Sequence, residues 1–123
     1  MLLARAFAQE LKSDAEIGFE NITQKAYGGV FMTQEAYRNI WQSWDLEART
    51  KASLASPEER EAMMYERYGL LKAPYDNKGY ALGITADSKG TLRMNCMMCH
   101  SGQVDGQIHY GRPNELVDIQ SMY

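Results

Sequence analysis

Cysteine, histidine and proline are scarce in this chain. Its 123 residues include two cysteines, two histidines and three prolines. The two cysteines are three positions apart, and a disulfide that closes so short a loop stabilises a fold little. The chain also lacks any apolar run near the ~20 residues that a membrane-spanning helix needs. We find no internal repeat, low-complexity segment or obvious linker in it.

An excess of positive charge is also missing. The 13 lysines and arginines are spread along the chain and are outnumbered by 16 aspartates and glutamates, which leaves a formal net charge of −3. This pattern excludes the basic patch that nucleic-acid binding requires. The length suits one modest domain with a single core, and the sequence leaves the oligomeric state open.

The amino-terminal stretch MLLARAFAQE is too short to be a complete signal peptide, because it has no apolar central region. Ala6-Phe7-Ala8 nevertheless has the small-x-small form of a signal-peptidase site. The stretch is therefore either the remainder of a truncated or mis-started signal peptide, or the start of a helix rich in Ala and Leu. The cysteine motif described below favours the first interpretation and predicts a periplasmic or otherwise exported protein.

The first seventy residues carry four helix-start signals. They are the capping box Ser13 to Glu16, Thr33, Asp45, and Ser56 followed by Pro57 and Glu59. We predict that the first helix runs to about Tyr27 and stops at Gly28-Gly29, and that the last ends near Gly69. In the second helix an apolar stripe at i, i+3, i+4 and i+7 predicts core packing rather than a cofactor wall. Its members are Tyr37, Ile40, Trp41 and Trp44.

The sequence changes character after Leu71. Turn signals at 76–79 and 87–90 flank 80–85 and 91–94, which we interpret as an ordered loop with some strand character, a small hairpin being the alternative. Pro113 to Met122 is predicted to begin a further helix. We therefore predict a mainly α fold in one continuous domain. It would have a helical region over 9–71 and a second, functional region over 72–123.

Both cysteines and one histidine fall in NCMMCHSG, residues 95–102. The pattern C-x-x-C-H is typical of covalent haem attachment. Each thiol adds to one vinyl group of the porphyrin, and cysteines three apart on one turn can reach both groups. The histidine that follows can bind the iron as its proximal ligand. One cofactor would thus use Cys96, Cys99 and His100 together.

The motif has two other interpretations, a redox dithiol and a zinc site. A thioredoxin-like dithiol would lie in alternating strands and helices, whereas here the helices come first. A zinc site could take Cys96, Cys99, His100 and His109, which are ligands of the right types. Adjacent ligands at Cys99 and His100 are awkward for a tetrahedral structural site, and there is no second cysteine pair. A zinc-binding module remains an alternative.

The stretch CMMCHSG resembles the haem-binding motif of the c-type cytochromes. The strict match covers 96–100, with Ser101 and Gly102 as weak support. The resemblance implies a cytochrome c-like haem domain, here with an amino-terminal helical extension and irregular loops around the haem. It also implies haem c on Cys96 and Cys99, His100 as the proximal iron ligand, and maturation outside the cytoplasm.

The position of the motif departs from that of small soluble cytochromes c, where it lies near the amino terminus. Here it starts at residue 96, and 23 residues follow His100. This favours the opening part of a larger haem protein, such as a multi-haem or dihaem enzyme. The leading hypothesis is an electron carrier with a redox partner protein. The alternative is part of a haem-dependent oxidoreductase, of peroxidase or oxygenase type, with an open distal site.

The distal iron ligand would separate these hypotheses. His109 is a candidate because nine residues of chain allow a return to the distal side. Met122, Met63, Met64 and a residue beyond Tyr123 are the others. We expect four residues near the haem edge, namely Tyr75, Tyr80, Leu82 and Tyr110, and we expect either Arg93 or Arg112 to pair with the propionates.

Overall fold

The structure is a computed structural model that describes residues 11–123, so Ala6-Phe7-Ala8 lies outside the described residues. Those residues form four α-helices and five strands in two antiparallel sheets, with three short 3-10 helices. The helices are α1 Asp14–Gln24, α2 Gln34–Asn39, α3 Leu46–Leu54 and α4 Pro57–Tyr68. The strands are β1 Val30–Met32, β2 Ile84–Ala86, β3 Leu92–Met94, β4 Ser101–Val104 and β5 Gln107–Tyr110. The prediction of a mainly α fold is therefore wrong, because helices and sheets are mixed.

The predicted helix starts are confirmed. Ser13 and Glu16 form a complete capping box at α1, and Ser56 and Glu59 form another at α4. Thr33 caps α2 and Asp45 caps α3, each by accepting a backbone N–H three residues on. The α4 helix ends at Gly69, whose left-handed φ of 62° closes the last turn. Local side-chain chemistry thus fixes where each helix begins.

The end of α1 differs from the prediction. The helix stops at Gln24, and Lys25 is already extended. Gly28 does not cap it; instead its N–H donates to the carbonyl of Met94 at 2.8 Å. A Cβ on Gly28 would lie 2.5 Å from that carbonyl oxygen. The glycine is needed because two backbones approach there, just before β1 joins the sheet.

The three-stranded sheet has the order β1-β3-β2. Val30 and Met32 of β1 pair with Arg93 and Leu92 of β3. The sheet therefore joins the helical half of the chain to the segment directly before the cysteine motif. Each of these strands has three residues, which is too short to give a clear alternating pattern in the sequence.

The core confirms the role predicted for the apolar stripe. Tyr37, Ile40 and Trp44 are buried, and Trp41 packs against them half-buried. The helix does not continue through the stripe as predicted, since it tightens into a 3-10 helix over Ile40–Ser43. Tyr37 OH accepts the N–H of Ala81, and burial raises the pKa of this phenol to about 12.

The second half contains more strand than predicted. Segments 84–86 and 92–94 form a hairpin, and 101–110 form a second one. The helix predicted from Pro113 is absent from the described chain except for the 3-10 turn Gln120–Met122. Here the side-chain oxygen of Asn114 accepts the N–H of Leu116, and the N–H of Asp118 donates to the carbonyl of Tyr68. Among residues 11–123, no helix combines the length and apolar composition that crossing a membrane requires.

Candidate functional site: the cysteine turn

Residues 95–100, which we call the cysteine turn, place their side chains on two sides. Cys96–Met98 is a 3-10 helix, and the N–H of His100 donates to the carbonyl of Cys96 at 3.0 Å. Met97 and Met98 are 7% and 3% exposed and point into the protein. Cys96, Cys99 and His100 are exposed, and both thiols are free. The turn therefore anchors itself by its methionines and presents its chemistry outward.

Asn95 fixes the start of the turn. Its side-chain oxygen accepts the N–H of Met97 at 3.0 Å. Its amide nitrogen donates to the carbonyl of Thr23 at 2.9 Å and to the hydroxyl of Thr85 at 3.0 Å. Thr23 is at the end of α1 and Thr85 is in β2, so one buried side chain joins the turn to two elements.

Gly83 supports the middle of the turn. Its carbonyl accepts the N–H of Asn95 at 2.8 Å. A Cβ on Gly83 would lie 2.2 Å from the amide nitrogen of Met98, and the φ of Gly83 is +89°. Only glycine satisfies both demands. Neither Asn95 nor Gly83 was identified from the sequence, although an asparagine directly before a turn of helix is a typical cap.

The segment that follows the turn holds its other end. The N–H of Gly111 donates to the carbonyl of His100 at 2.7 Å, and the N–H of Asn114 donates to the carbonyl of Cys99 at 2.8 Å. The Asn114 side chain then donates to the carbonyl of Gly69 at the end of α4. The backbone of the turn is thus held on both sides while its three reactive side chains stay accessible.

His109 is not brought opposite His100. It lies on β5 and pairs with Gly102, two residues after His100 on the same hairpin. Proximal and distal ligands must approach haem iron from opposite faces, so His109 would need this hairpin to open. Across the described part of the chain, no three or more Cys, His, Asp or Glu side chains form a group that could hold a metal ion. The four-residue zinc set is therefore not assembled in this structure.

The methionine candidates lie inside the protein. Met64 and Met122 are 6% and 7% exposed and belong to the main core cluster. Met63 is half-buried against the same cluster. Each would have to leave the core to reach an iron held at the cysteine turn, and removing a core side chain costs several kcal/mol, about 2–5 for methionine.

The residues expected at the haem edge separate into two groups. Tyr80 and Leu82 are core residues. Tyr75 and Tyr110 both contact Phe19 of α1 edge-on, at ring centroid distances of 6.2 and 5.0 Å. Burial raises the pKa of Tyr75 and of Tyr110 above the ordinary phenol value. This aromatic group joins α1 to β5, the strand that pairs with the residues directly after the turn.

The two arginines also differ. Arg93 donates from Nε to Asp87 at 2.9 Å, so its guanidinium already has an anionic partner. The stem of Arg112 lies against Gly102, where an added Cβ would be 3.1 Å from Cγ. No ion pair is found for Arg112 within residues 11–123. Arg112 is thus the arginine of the two that is free to meet an anion beside the turn.

Two surface cavities are lined by other residues. The larger, about 580 Å³, lies between α2, the start of α4 and the Lys78–Tyr80 turn. The smaller, about 400 Å³, is lined by α3 and α4. Neither is lined by Cys96, Cys99 or His100. The cysteine turn is thus a surface site, distinct from both cavities.

The residues present fit covalent haem. Attachment needs two free, accessible thiols three positions apart and an accessible imidazole directly after them. The cysteine turn offers all three groups. Haem attachment requires only one iron ligand from this segment, whereas a structural zinc site requires four ligands.

Comparison with known proteins finds no match for this chain among family models, curated proteins or solved structures.

Proposed function

We propose that this chain is an exported c-type haem-binding domain that transfers electrons. Cys96 and Cys99 would hold the haem through thioether bonds, and His100 would bind the iron. Bound in this way, haem supplies one-electron exchange between Fe(III) and Fe(II). The observation that carries the proposal is the outward placement of these three side chains on a turn whose other side chains are buried.

The exposure of the turn supports a role in electron transfer. Cys96, Cys99 and His100 lie at the surface, where a partner protein can approach closely. The buried methionines and the backbone bonds to Gly111 and Asn114 keep the turn in place. Arg112 would pair with a carboxylate of the bound group. The partner is proposed to be a redox protein, and export, with which Ala6-Phe7-Ala8 agrees, follows from the need for haem c maturation.

A second candidate is a haem enzyme portion with an open distal position. Two observations favour it. Met64 and Met122 are committed to the core, and His109 lies on the same hairpin as the residues that follow His100. With these groups held away, the distal side would be open to a small ligand such as peroxide or oxygen, or filled by a residue outside 11–123.

The test is expression in a host that attaches haem c, followed by a haem-stained denaturing gel and visible spectra of both redox states. A stained band and a sharp α band on reduction are expected. The Cys96→Ser/Cys99→Ser double variant should lose the band, whereas Ser88→Ala, at an exposed turn position, should keep it.

The same spectra distinguish the two candidates. Six-coordinate low-spin iron supports electron transfer, whereas high-spin iron that binds cyanide readily supports the open site. Absence of both the stained band and the Soret peak from the wild-type protein would overturn both. Metal analysis for zinc on Cys96, Cys99, His100 and His109 would then test the remaining alternative.

A further inference from the structure

The buried side chain of Asn95 uses both of its N–H donors and its oxygen in hydrogen bonds. It is 6% exposed. Both amide hydrogens are used, on the Thr23 carbonyl and the Thr85 hydroxyl, and the oxygen accepts the N–H of Met97. Thr23 and Thr85 lie 72 and 10 residues before Asn95 in the chain, and Met97 lies two residues after it. No other side chain of the cysteine turn is bonded to either α1 or β2 in residues 11–123.

We propose that Asn95 is a positioning residue of the cysteine turn, whose side chain ties the turn to α1 and β2 and so sets how Cys96, Cys99 and His100 are presented. The biological role of this positioning, to present haem-binding side chains, rests on the proposed function. The geometry shows this amide bonded to both α1 and β2, in addition to the backbone contacts of the turn with Gly83.

Asparagine is the residue type that this position requires. The site needs one acceptor for a turn N–H and two donors for oxygens on separate elements. Aspartate at neutral pH would supply acceptors only and would face the Thr23 carbonyl with a like partial charge. Alanine would leave the Met97 N–H and the two oxygens without this partner in a buried region, where unsatisfied polar groups are costly.

The chain contains a matched control. Asn77 also binds backbone groups through its amide nitrogen, donating to the carbonyls of Tyr80, Ala81 and Ile84 at 3.2, 3.0 and 2.9 Å. It therefore organises a neighbouring loop with a comparable number of bonds, but none of them reaches residues 95–100. Asn77→Ala should lower the stability of the fold while keeping every hydrogen bond of Asn95, so it is a strict control for a loss of stability beside Gly83.

The experiment measures the Cys96–Cys99 dithiol in the haem-free protein against a dithiothreitol redox buffer. Forming the disulfide oxidises the two thiols and reduces one molecule of cyclic, oxidised dithiothreitol to its dithiol. The N–H of Cys99 donates to the carbonyl of Cys96 and closes one turn between the two cysteines, so we expect a turn held in place to favour the disulfide. We expect Asn95→Ala to lower the equilibrium constant about fivefold, which is the factor by which one lost cap typically lowers a folding equilibrium, and Asn77→Ala to leave it within about twofold.

Unfolding curves of all three proteins fix conditions under which each is folded. Equal shifts in the two variants, or no shift in Asn95→Ala, would overturn the assignment. Asn95→Ser keeps an acceptor and loses one of the two donors, so its disulfide equilibrium constant should lie between those of the wild-type protein and Asn95→Ala. This variant also provides the test if Asn95→Ala does not fold. The haem-stained gel of the wild-type protein tests the proposed function separately, because the dithiol measurement needs no haem.

Discussion

Gly83 and Met98 meet backbone to backbone. A Cβ on Gly83 would lie 2.2 Å from the Met98 amide nitrogen and 2.4 Å from its Cα. The contact places the buried half of the cysteine turn directly on the segment that leads into β2. Met98 is 3% exposed and belongs to the core cluster. The turn therefore cannot move outward to make room for a side chain at residue 83 without losing core packing.

Gly83→Ala should therefore destabilise the protein strongly, by about 3 kcal/mol or more, because it combines a clash with a positive φ. Gly79→Ala is the control, since Gly79 has a φ of +81° but nothing within 4 Å of an added Cβ. It should cost about 1 kcal/mol, from backbone strain alone. Urea unfolding of both variants measures the difference, and equal losses would show that the close approach contributes nothing.

Tyr68→Phe should cost about 1–2 kcal/mol. Trp44 donates from Nε1 to the Tyr68 hydroxyl at 2.8 Å, and the two residues are 4% and 2% exposed. Removal of the hydroxyl leaves a buried indole N–H without this partner. Tyr27→Phe, at a ring that is 59% exposed, should change stability by less than about 0.5 kcal/mol. The free energy of unfolding in urea tests both; a loss at Tyr27 as large as that at Tyr68 would contradict the argument.

Acid should weaken the protein partly through Asp87. The hydrogen bond from Arg93 holds the pKa of the Asp87 carboxyl below its ordinary value of 3.8. A carboxyl with a lowered folded-state pKa stabilises the fold above its unfolded pKa and loses that contribution as pH falls through the folded pKa. We expect Asp87→Asn to flatten the fall in melting temperature below about pH 4. An unchanged acid slope in this variant would show that the pair does not contribute.

The two histidines should behave differently in the haem-loaded protein. Under the proposed function, His100→Ala should remove the proximal ligand and change the visible spectrum of the iron, because His100 directly follows the thiols of the turn. His109→Ala should leave the iron coordination as it is, since His109 is held on β5 opposite Gly102. Visible spectra of the two variants provide the comparison. A change from low-spin to high-spin iron in His109→Ala would instead identify His109 as the distal ligand and require the hairpin to open.

Local signals in the sequence predicted the helices well. The Ser13 and Ser56 capping boxes and the glycine stop at Gly69 depend on residues only a few positions apart, and all three are confirmed. The hairpin of β4 and β5 also has a local signal in the sequence. Asp105 and Gly106, with φ of 48° and 78°, form the Asp-Gly pair that favours a tight hairpin turn.

The rest of the fold depends on partners far apart in the chain. The strand β1 has three residues and is stabilised by β3, which begins sixty residues later, so no local pattern marks it. The same holds for the site. The sequence identified Cys96, Cys99 and His100 as the candidate haem-binding residues, but the contacts of Asn95 with Thr23 and Thr85 arise only when α1 and β2 fold against the turn.

The order of these partners along the chain has a consequence for synthesis. Thr23, Gly83 and Thr85, which secure the front of the turn, all precede it. Gly111 and Asn114, which secure its back, follow it. A polypeptide that emerges amino terminus first therefore completes one half of this attachment before the other exists. For that interval the thiols stand on a turn with one end still free; under the proposed function, an attachment enzyme would then have its widest access to them.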